Sequence, residues 1–208
     1  MNARSLLCST ALFLSTVASA GCGDENETTA VTPSTSDAGS NECAPAPPAA
    51  KPAASCEVTI ESPPVGSANH LPEGTQITYC SNPPSSGPHY PVWADFQVYD
   101  KPIEWPYLVH SMEHGSVVLL YKCDAPGCPE IVADLVKVRD NAAADPLCSA
   151  GTKRIIVAPS TTILTKVAAA AWGKTYQADC VDMPTLEAFV RDNYAKGPEN
   201  ICVPGRTF

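Results

Sequence analysis

The chain has 208 residues and a formal net charge of −9. This length suffices for one domain of ordinary size with a hydrophobic core, together with appended segments. The negative charge argues against nucleic acid or anionic lipid as a partner, because both would repel such a surface. The sequence contains no phosphate-binding loop, dinucleotide fingerprint or nucleophile elbow, so it predicts no nucleotide or organic cofactor.

Residues 1–21 are typical of an export signal, because a positive charge precedes an apolar run at residues 6–17 and small residues follow it. The run is too short to cross a bilayer as a helix. Two cleavage sites fit the sequence. Ordinary signal peptidase would cut after Ala20, whereas the residues before Cys22 resemble a lipoprotein signal in which Ser19 stands where leucine is usual.

Cysteine parity favours lipidation of Cys22. Of the ten cysteines, Cys8 leaves with the signal, and a lipid on Cys22 leaves an even number that can all pair in an exported chain. Cleavage after Ala20 would instead leave an unpaired thiol. The predicted disulfide cysteines are Cys43, Cys56, Cys80, Cys123, Cys128, Cys148, Cys180 and Cys202.

The predicted location is the bacterial cell envelope, where an N-terminal lipid would hold the protein at a membrane; a soluble secreted form is the alternative. The sequence does not identify a protein partner. Residues 22–55 are a predicted disordered tether of Ala, Pro, Ser, Thr and acidic residues. They contain too few large apolar side chains to offset the entropy of ordering them.

The globular domain is predicted at residues 56–208. Its first half, residues 56–107, is dense in proline and aromatic residues. Since proline fixes φ and lacks a backbone donor, this half is predicted to be irregular and rich in turns. We call it the proline-rich layer.

The second half of the domain contains patterns of regular structure. "GSVVLLYKC" predicts a buried strand, "CPEIVADLVKVRDNAA" an amphipathic helix with Pro129 in its first turn, and "KRIIVAPS" another strand. "KVAAAAWGKTYQADC" fits a strand or a helix, and "MPTLEAFVRDNYAK" predicts a helix that begins at Pro184 and is stopped by Gly197. The predicted fold is a single compact α+β domain with a small mixed sheet. Its β-α-β-β-α core follows the proline-rich layer and is stabilised by disulfides.

A predicted metal site lies around "LVHSMEHG". If this segment continues the strand after it, His110, Met112 and His114 lie on one face and Glu113 on the other. Imidazoles with a thioether suit copper, because its reduced form favours sulfur and its oxidised form favours imidazole. His89, in the rigid turn "SSGPHYP", can supply a third nitrogen.

The predicted ligands are therefore His89, His110, His114 and Met112, with Glu113 and Tyr90 around them. The predicted cofactor is one copper ion, with zinc as the alternative. All four histidines of the chain precede residue 115; the fourth, His70, is assigned no role beyond this clustering.

Other interpretations of the same residues stay open. In a helix, His110 and His114 would match the H-x-x-E-H signature of inverted zinc proteases, but Gly115 and the β-branched residues after it favour the strand. A metal-dependent enzyme with Glu113 as general acid or base is possible in chemical terms. The strand disfavours it, because Glu113 would face away from the histidines. The histidines can also be structural, in an interaction module.

The stretch "NPPSSGPHYP", the segment "LVHSMEHG", the later "AWG" and the closing "KGPEN" resemble a bacterial family known as domain of unknown function 3105. A more distant likeness extends to the extracellular part of eukaryotic tumour protein p53-inducible protein 13. The resemblance implies no established activity. It makes a thioether ligand optional, because many relatives carry leucine at position 112, and it implies that the cysteines are an addition for stability. It also implies a polar signature of His89, His110, Glu113 and His114.

Overall fold

A computed structural model of the chain describes residues 56–208. The predicted signal at residues 1–21, the tether at residues 22–55, and Cys22 and Cys43 lie outside the described residues. Within residues 56–208, no helix has the length and apolar character needed to cross a membrane.

The described residues form five strands: β1 (Val58–Glu61), β2 (Val117–Tyr121), β3 (Ile155–Pro159), β4 (Val167–Ala171) and β5 (Lys174–Ala178). They make one mixed sheet in the order β1-β5-β4-β2-β3. β2 and β3 run parallel, whereas the other neighbouring pairs are antiparallel. The predicted strands around "GSVVLLYKC" and "KRIIVAPS" are confirmed as β2 and β3.

Three helices lie in this part of the chain: α1 (Trp105–Glu113), α2 (Pro129–Asn141) and α3 (Met183–Asn193). Each has proline in its first or second position, where the missing N–H breaks no intrahelical bond. The predicted helices at α2 and α3 are confirmed. The helix α3 ends before Gly197, since the chain already leaves the helical conformation at Tyr194.

The sheet separates two apolar layers because side chains alternate along a strand. On one face, Val118 and Leu120 of β2 pack with α1 and the proline-rich layer. On the other face, Val117 and Leu119 pack with α2 and α3. Burial of both faces explains why β2 is a continuous apolar run. The helix α1 is thus held between the sheet and the proline-rich layer.

The α+β fold class is confirmed, with three corrections to the predicted elements. The half predicted to be irregular contains β1, which pairs with β5. "KVAAAAWGKTYQADC" forms the hairpin β4–β5, which turns at Gly173 with φ 69°, so the sheet has an additional strand. The prediction that β2 extends back to His110 is wrong, because that segment belongs to α1. Gly115, with φ 85°, turns the chain from α1 into β2 after the helix has closed its last turn.

Disulfides join Cys56 to Cys180, Cys123 to Cys128, and Cys148 to Cys202, and Cys80 is also disulfide-bonded. The predicted disulfides are therefore confirmed for the described cysteines. Cys123 and Cys128 close the turn of "KCDAPGC", so their sulfurs are not thiolate ligands for zinc.

Candidate metal centre

Four polar side chains converge between α1 and the proline-rich layer, and we call them the histidine–glutamate group: His70, His89, His110 and Glu113. One ligand atom from each lies within 4.8 Å of those of the others. The helix α1 supplies His110 and Glu113, which are three residues apart and share a helix face. The proline-rich layer supplies His70 and His89, which form an isolated β-bridge.

The Glu113 carboxylate is central to this group. Its Oε2 lies 2.9 Å from Nε2 of His89, 3.5 Å from Nε2 of His70 and 3.7 Å from Nε2 of His110. The side chains of His89, His110 and Glu113 are at most 5% exposed, whereas that of His70 is 48% exposed. The group is therefore closed to solvent on the side of α1 and is open to solvent at His70.

Backbone carbonyls orient two of the imidazoles. Nδ1 of His89 lies 2.9 Å from the carbonyl oxygen of Gly87, and Nδ1 of His110 lies 2.6 Å from that of Tyr90. Since a carbonyl oxygen only accepts, each Nδ1 carries the hydrogen, and a neutral ring then has its lone pair on Nε2. A donor bond from the remote ring nitrogen is the usual support of a metal-binding histidine.

The contact between His89 and Glu113 needs a positive charge between its partners. With Nδ1 of His89 donating to Gly87, a neutral ring and an ionised carboxylate would bring two acceptors to 2.9 Å. Either one additional proton or a metal ion relieves this repulsion. A proton bridges one pair of atoms, whereas a metal ion can bind the three Nε2 atoms and the carboxylate together.

Burial lowers the pKa of His110 to about 3, against the opposing effect of its hydrogen bond to Tyr90 and with a smaller lowering by the neighbouring histidines. His110 is therefore neutral at pH 7, with its Nε2 lone pair directed into the group. Burial also lowers the pKa of His114.

We expect the metal-free protein to lose stability as the pH falls from 7 to 5. The pKa of an unfolded histidine is about 6.5, and that of folded His110 is about 3. The unfolded state therefore binds more protons in this interval. The stabilising contribution is complete above the unfolded pKa and is lost as the pH falls towards the folded one. For His110 we expect the free energy of unfolding to fall by about 2 kcal/mol between pH 7 and pH 5. Urea unfolding with a chelator present measures this change.

The variant His110→Asn provides the control for this pH dependence. The asparagine amide can keep the donor to the Tyr90 carbonyl, but it does not titrate. We expect the difference in unfolding free energy between pH 7 and pH 5 to shrink in the variant, leaving the part due to His114. If the difference is the same in the variant and the unchanged protein, His110 is not the source of this pH dependence.

His114 lies beside the histidine–glutamate group and belongs to a second set of potential ligands. It is the C-cap of α1, and its Nε2 lies 3.2 Å from Oε2 of Glu199. Its ring contacts Trp93 and His110 at centroid distances of 4.5 and 4.6 Å. The potential ligands near His114 are Glu113 and Glu199, so His114 shares Glu113 with the histidine–glutamate group although its own ligand atom is not part of that group.

The structure brings together two of the four predicted ligands, His89 and His110. Met112 instead lies fully buried in the apolar layer between α1 and the sheet, since two positions along a helix turn a side chain about 200° away. The expectation that Glu113 faces away from the histidines is wrong, because it followed from the strand. His70 was assigned no role, and the clustering of histidines in the sequence was the signal for it.

A further set of potential ligands, Asp145 with Cys148 and Cys202, does not suit a metal. The two sulfurs form a disulfide, and Asp145 pairs with Arg154 at 2.7 Å.

A family model described as "Protein of unknown function (DUF3105)" matches residues 70–204 of the chain. The match includes the whole histidine–glutamate group as well as His114 and Glu199, and it confirms the predicted family resemblance. No curated protein and no solved structure matches the chain. The likeness to tumour protein p53-inducible protein 13 stays a prediction.

Proposed function

The chain belongs to the DUF3105 family of proteins of unknown function, and we propose that its domain binds a transition-metal ion through the histidine–glutamate group. The observation that carries this proposal is the convergence of three Nε2 atoms on one buried carboxylate. Burying a carboxylate costs free energy unless it is paired. A bound cation supplies that pairing and also satisfies the lone pairs of His89 and His110.

We propose copper(II) as the ion bound most tightly, with zinc as the alternative. Three nitrogens and one oxygen suit either ion, and for such ligands copper(II) generally binds more tightly than zinc. The predicted suitability of the site for reduced copper depended on the sulfur of Met112. With that side chain in the apolar core, the remaining donors favour oxidised copper.

We also propose that the domain works outside the cytoplasm, held at a bacterial membrane by a lipid on Cys22 or secreted after cleavage at Ala20. The disulfides of the domain support this, since disulfides persist in oxidising compartments. The export signal and the cysteine parity of the sequence support it as well. The mass of the mature N-terminus distinguishes the two forms.

A metal-dependent enzyme is the second candidate function, because Glu113 points among the imidazoles. Two features favour binding over catalysis. Glu113 is itself within ligand distance and nearly buried, which leaves little access for a substrate. Two clefts of residues 56–208, one around Trp105 and one around Tyr79, are lined by none of the histidines.

A copper(II) titration tests the proposed function. Trp172 contacts the ring of His89 at a centroid distance of 6.2 Å, and Trp93 contacts that of His110 at 5.1 Å. Bound copper should therefore quench tryptophan fluorescence. We expect tight binding in the chelator-treated protein and at least about 100-fold weaker binding in His89→Asn and His110→Asn, because loss of a ligand should exceed the about 10- to 100-fold cost of losing a group that only supports a ligand. Each asparagine can keep the donor to its backbone carbonyl while the Nε2 ligand is lost.

His114→Gln is the matched control for these variants, because it replaces a buried histidine at the end of the same helix. We expect it to bind copper as the unchanged protein does, and a large loss in it would instead support the predicted role of His114 as a ligand. If neither copper nor zinc binds to the unchanged protein at stoichiometric level, the proposal is wrong and the histidines are structural.

A further inference from the structure

His70 differs from the other members of the histidine–glutamate group in its exposure. Its side chain is 48% exposed, whereas those of His89 and His110 are 0% and 3% exposed. Any molecule that approaches the group from solvent therefore meets His70 first. The other two imidazoles are reached only after it moves.

The ring of His70 is also the least constrained of the three. Nδ1 of His89 and of His110 each bonds to a backbone carbonyl. Within residues 56–208, the polar contact of the His70 ring is the one to Glu113, at 3.5 Å. Without a second bond to fix its orientation, the ring can leave the group by rotation about its side-chain bonds, which for exposed residues takes picoseconds to nanoseconds.

The backbone of His70, in contrast, is held firmly. On either side of it, Leu71 donates to the carbonyl of His89 at 2.7 Å, and the amide of His89 donates to the carbonyl of Asn69 at 3.0 Å. Further along the same loop, Glu73 pairs with Arg206 at 2.6 Å. Departure of the ring therefore requires no movement of the loop, and the ring can return to the same position.

We propose that His70 is the exchangeable ligand of the metal centre, and that an imidazole from outside the chain takes its place on the ion. This inference rests on the proposed function. A neutral imidazole replaces a neutral imidazole, so the donor atom and the charge of the centre do not change. The exchange gives the ion a route into and out of an otherwise closed site, to or from a partner that presents a histidine side chain.

The test is rescue of a His70→Ala variant by free imidazole. We expect this variant to bind copper(II) at least about tenfold more weakly than the unchanged protein, the lower end of effects at metal sites. Millimolar imidazole should restore most of the affinity, because the vacated position is open to solvent. The same addition should not restore His89→Ala, whose position is closed. A short peptide with one histidine shows whether a protein side chain is accepted.

A second measurement does not depend on the folding of any variant. In the unchanged protein, transfer of bound copper to an external chelator should accelerate in proportion to the imidazole concentration. Failure of imidazole to rescue His70→Ala, or a transfer rate that does not depend on imidazole, would overturn this inference while copper binding itself stands. Absence of copper binding in the unchanged protein would overturn the proposed function instead.

Discussion

Replacement of Arg154 by methionine is expected to lower the free energy of unfolding by about 3 to 5 kcal/mol, the cost of removing one partner from a buried ion pair. Arg154 is 1% exposed. Its Nε donates to Asp145 at 2.7 Å, and its Nη1 donates to the carbonyl of His114 at 2.9 Å and to Asn200 at 2.7 Å. The substitution leaves a buried carboxylate and two backbone or amide oxygens without this donor.

Arg154 also connects three parts of the chain at the C-terminal end of α1. It precedes β3, its bond to the His114 carbonyl holds the end of α1, and its bond to Asn200 holds the C-terminal segment. That segment is tied to the same helix end, since the amide of Glu199 donates to the carbonyl of Glu113 at 2.9 Å. Loss of the guanidinium should therefore loosen both attachments.

The matched control is Arg191→Met, because the Arg191 side chain is 70% exposed and its partner Asp192 is 63% exposed. Exposed pairs contribute little, so we expect this variant to change stability by no more than about 0.5 kcal/mol. Urea unfolding of both variants measures the difference. A loss below about 1 kcal/mol in Arg154→Met would show that the methionine side chain offsets the ion pair by packing.

The elements that could be predicted from the sequence are those in which local pattern and tertiary packing agree. The β-branched runs of β2 and β3 suit strands buried on both faces. The helices α2 and α3 each have proline in the first or second position and one apolar face, which packs against the sheet. In these elements each local preference supports the same fold, which is typical of natural sequences.

The helix α1 could not be predicted in this way because it is enclosed on all sides. Every residue from Pro106 to Glu113 is buried, so the helix has no solvent-exposed face. Its polar residues His110 and Glu113 lie on a buried face, and the usual alternation of buried apolar and exposed polar residues is missing. Its run into β2 therefore looked like one strand. The error reversed the expected direction of Glu113 and placed Met112 beside the histidines.

The position of His70 beside His89 depends on the path of the chain through the proline-rich layer. This layer has a short strand, β1, and otherwise isolated bridges before α1, and no sequence period encodes which of its residues meet. The bridge between His70 and His89 joins two turns that are separate in the sequence.

The alanines of β4 favour a helix by propensity, but their small side chains fill a central strand between two packed layers.

Replacement of Glu113 by glutamine should weaken copper(II) binding by roughly 100- to 5000-fold. The carboxylate is the one formal negative charge in the histidine–glutamate group and its side chain is 5% exposed. Loss of a buried charged partner costs about 3 to 5 kcal/mol, and each 1.4 kcal/mol changes Kd about tenfold. Glutamine has a similar shape, so the variant removes the charge without opening a cavity.

The metal-free variant is expected to be at least as stable as the metal-free unchanged protein. Without a metal ion, the buried carboxylate lies 2.9 Å from Nε2 of His89, whereas the glutamine amide can donate directly to the His89 Nε2 lone pair. Weaker copper binding with unchanged stability is the signature of a residue that serves binding and not folding. Asp192→Asn removes a carboxylate that is 63% exposed and should change neither quantity. Copper affinity within about threefold of the unchanged protein, or a large loss of metal-free stability, would show that Glu113 is a structural partner of His89.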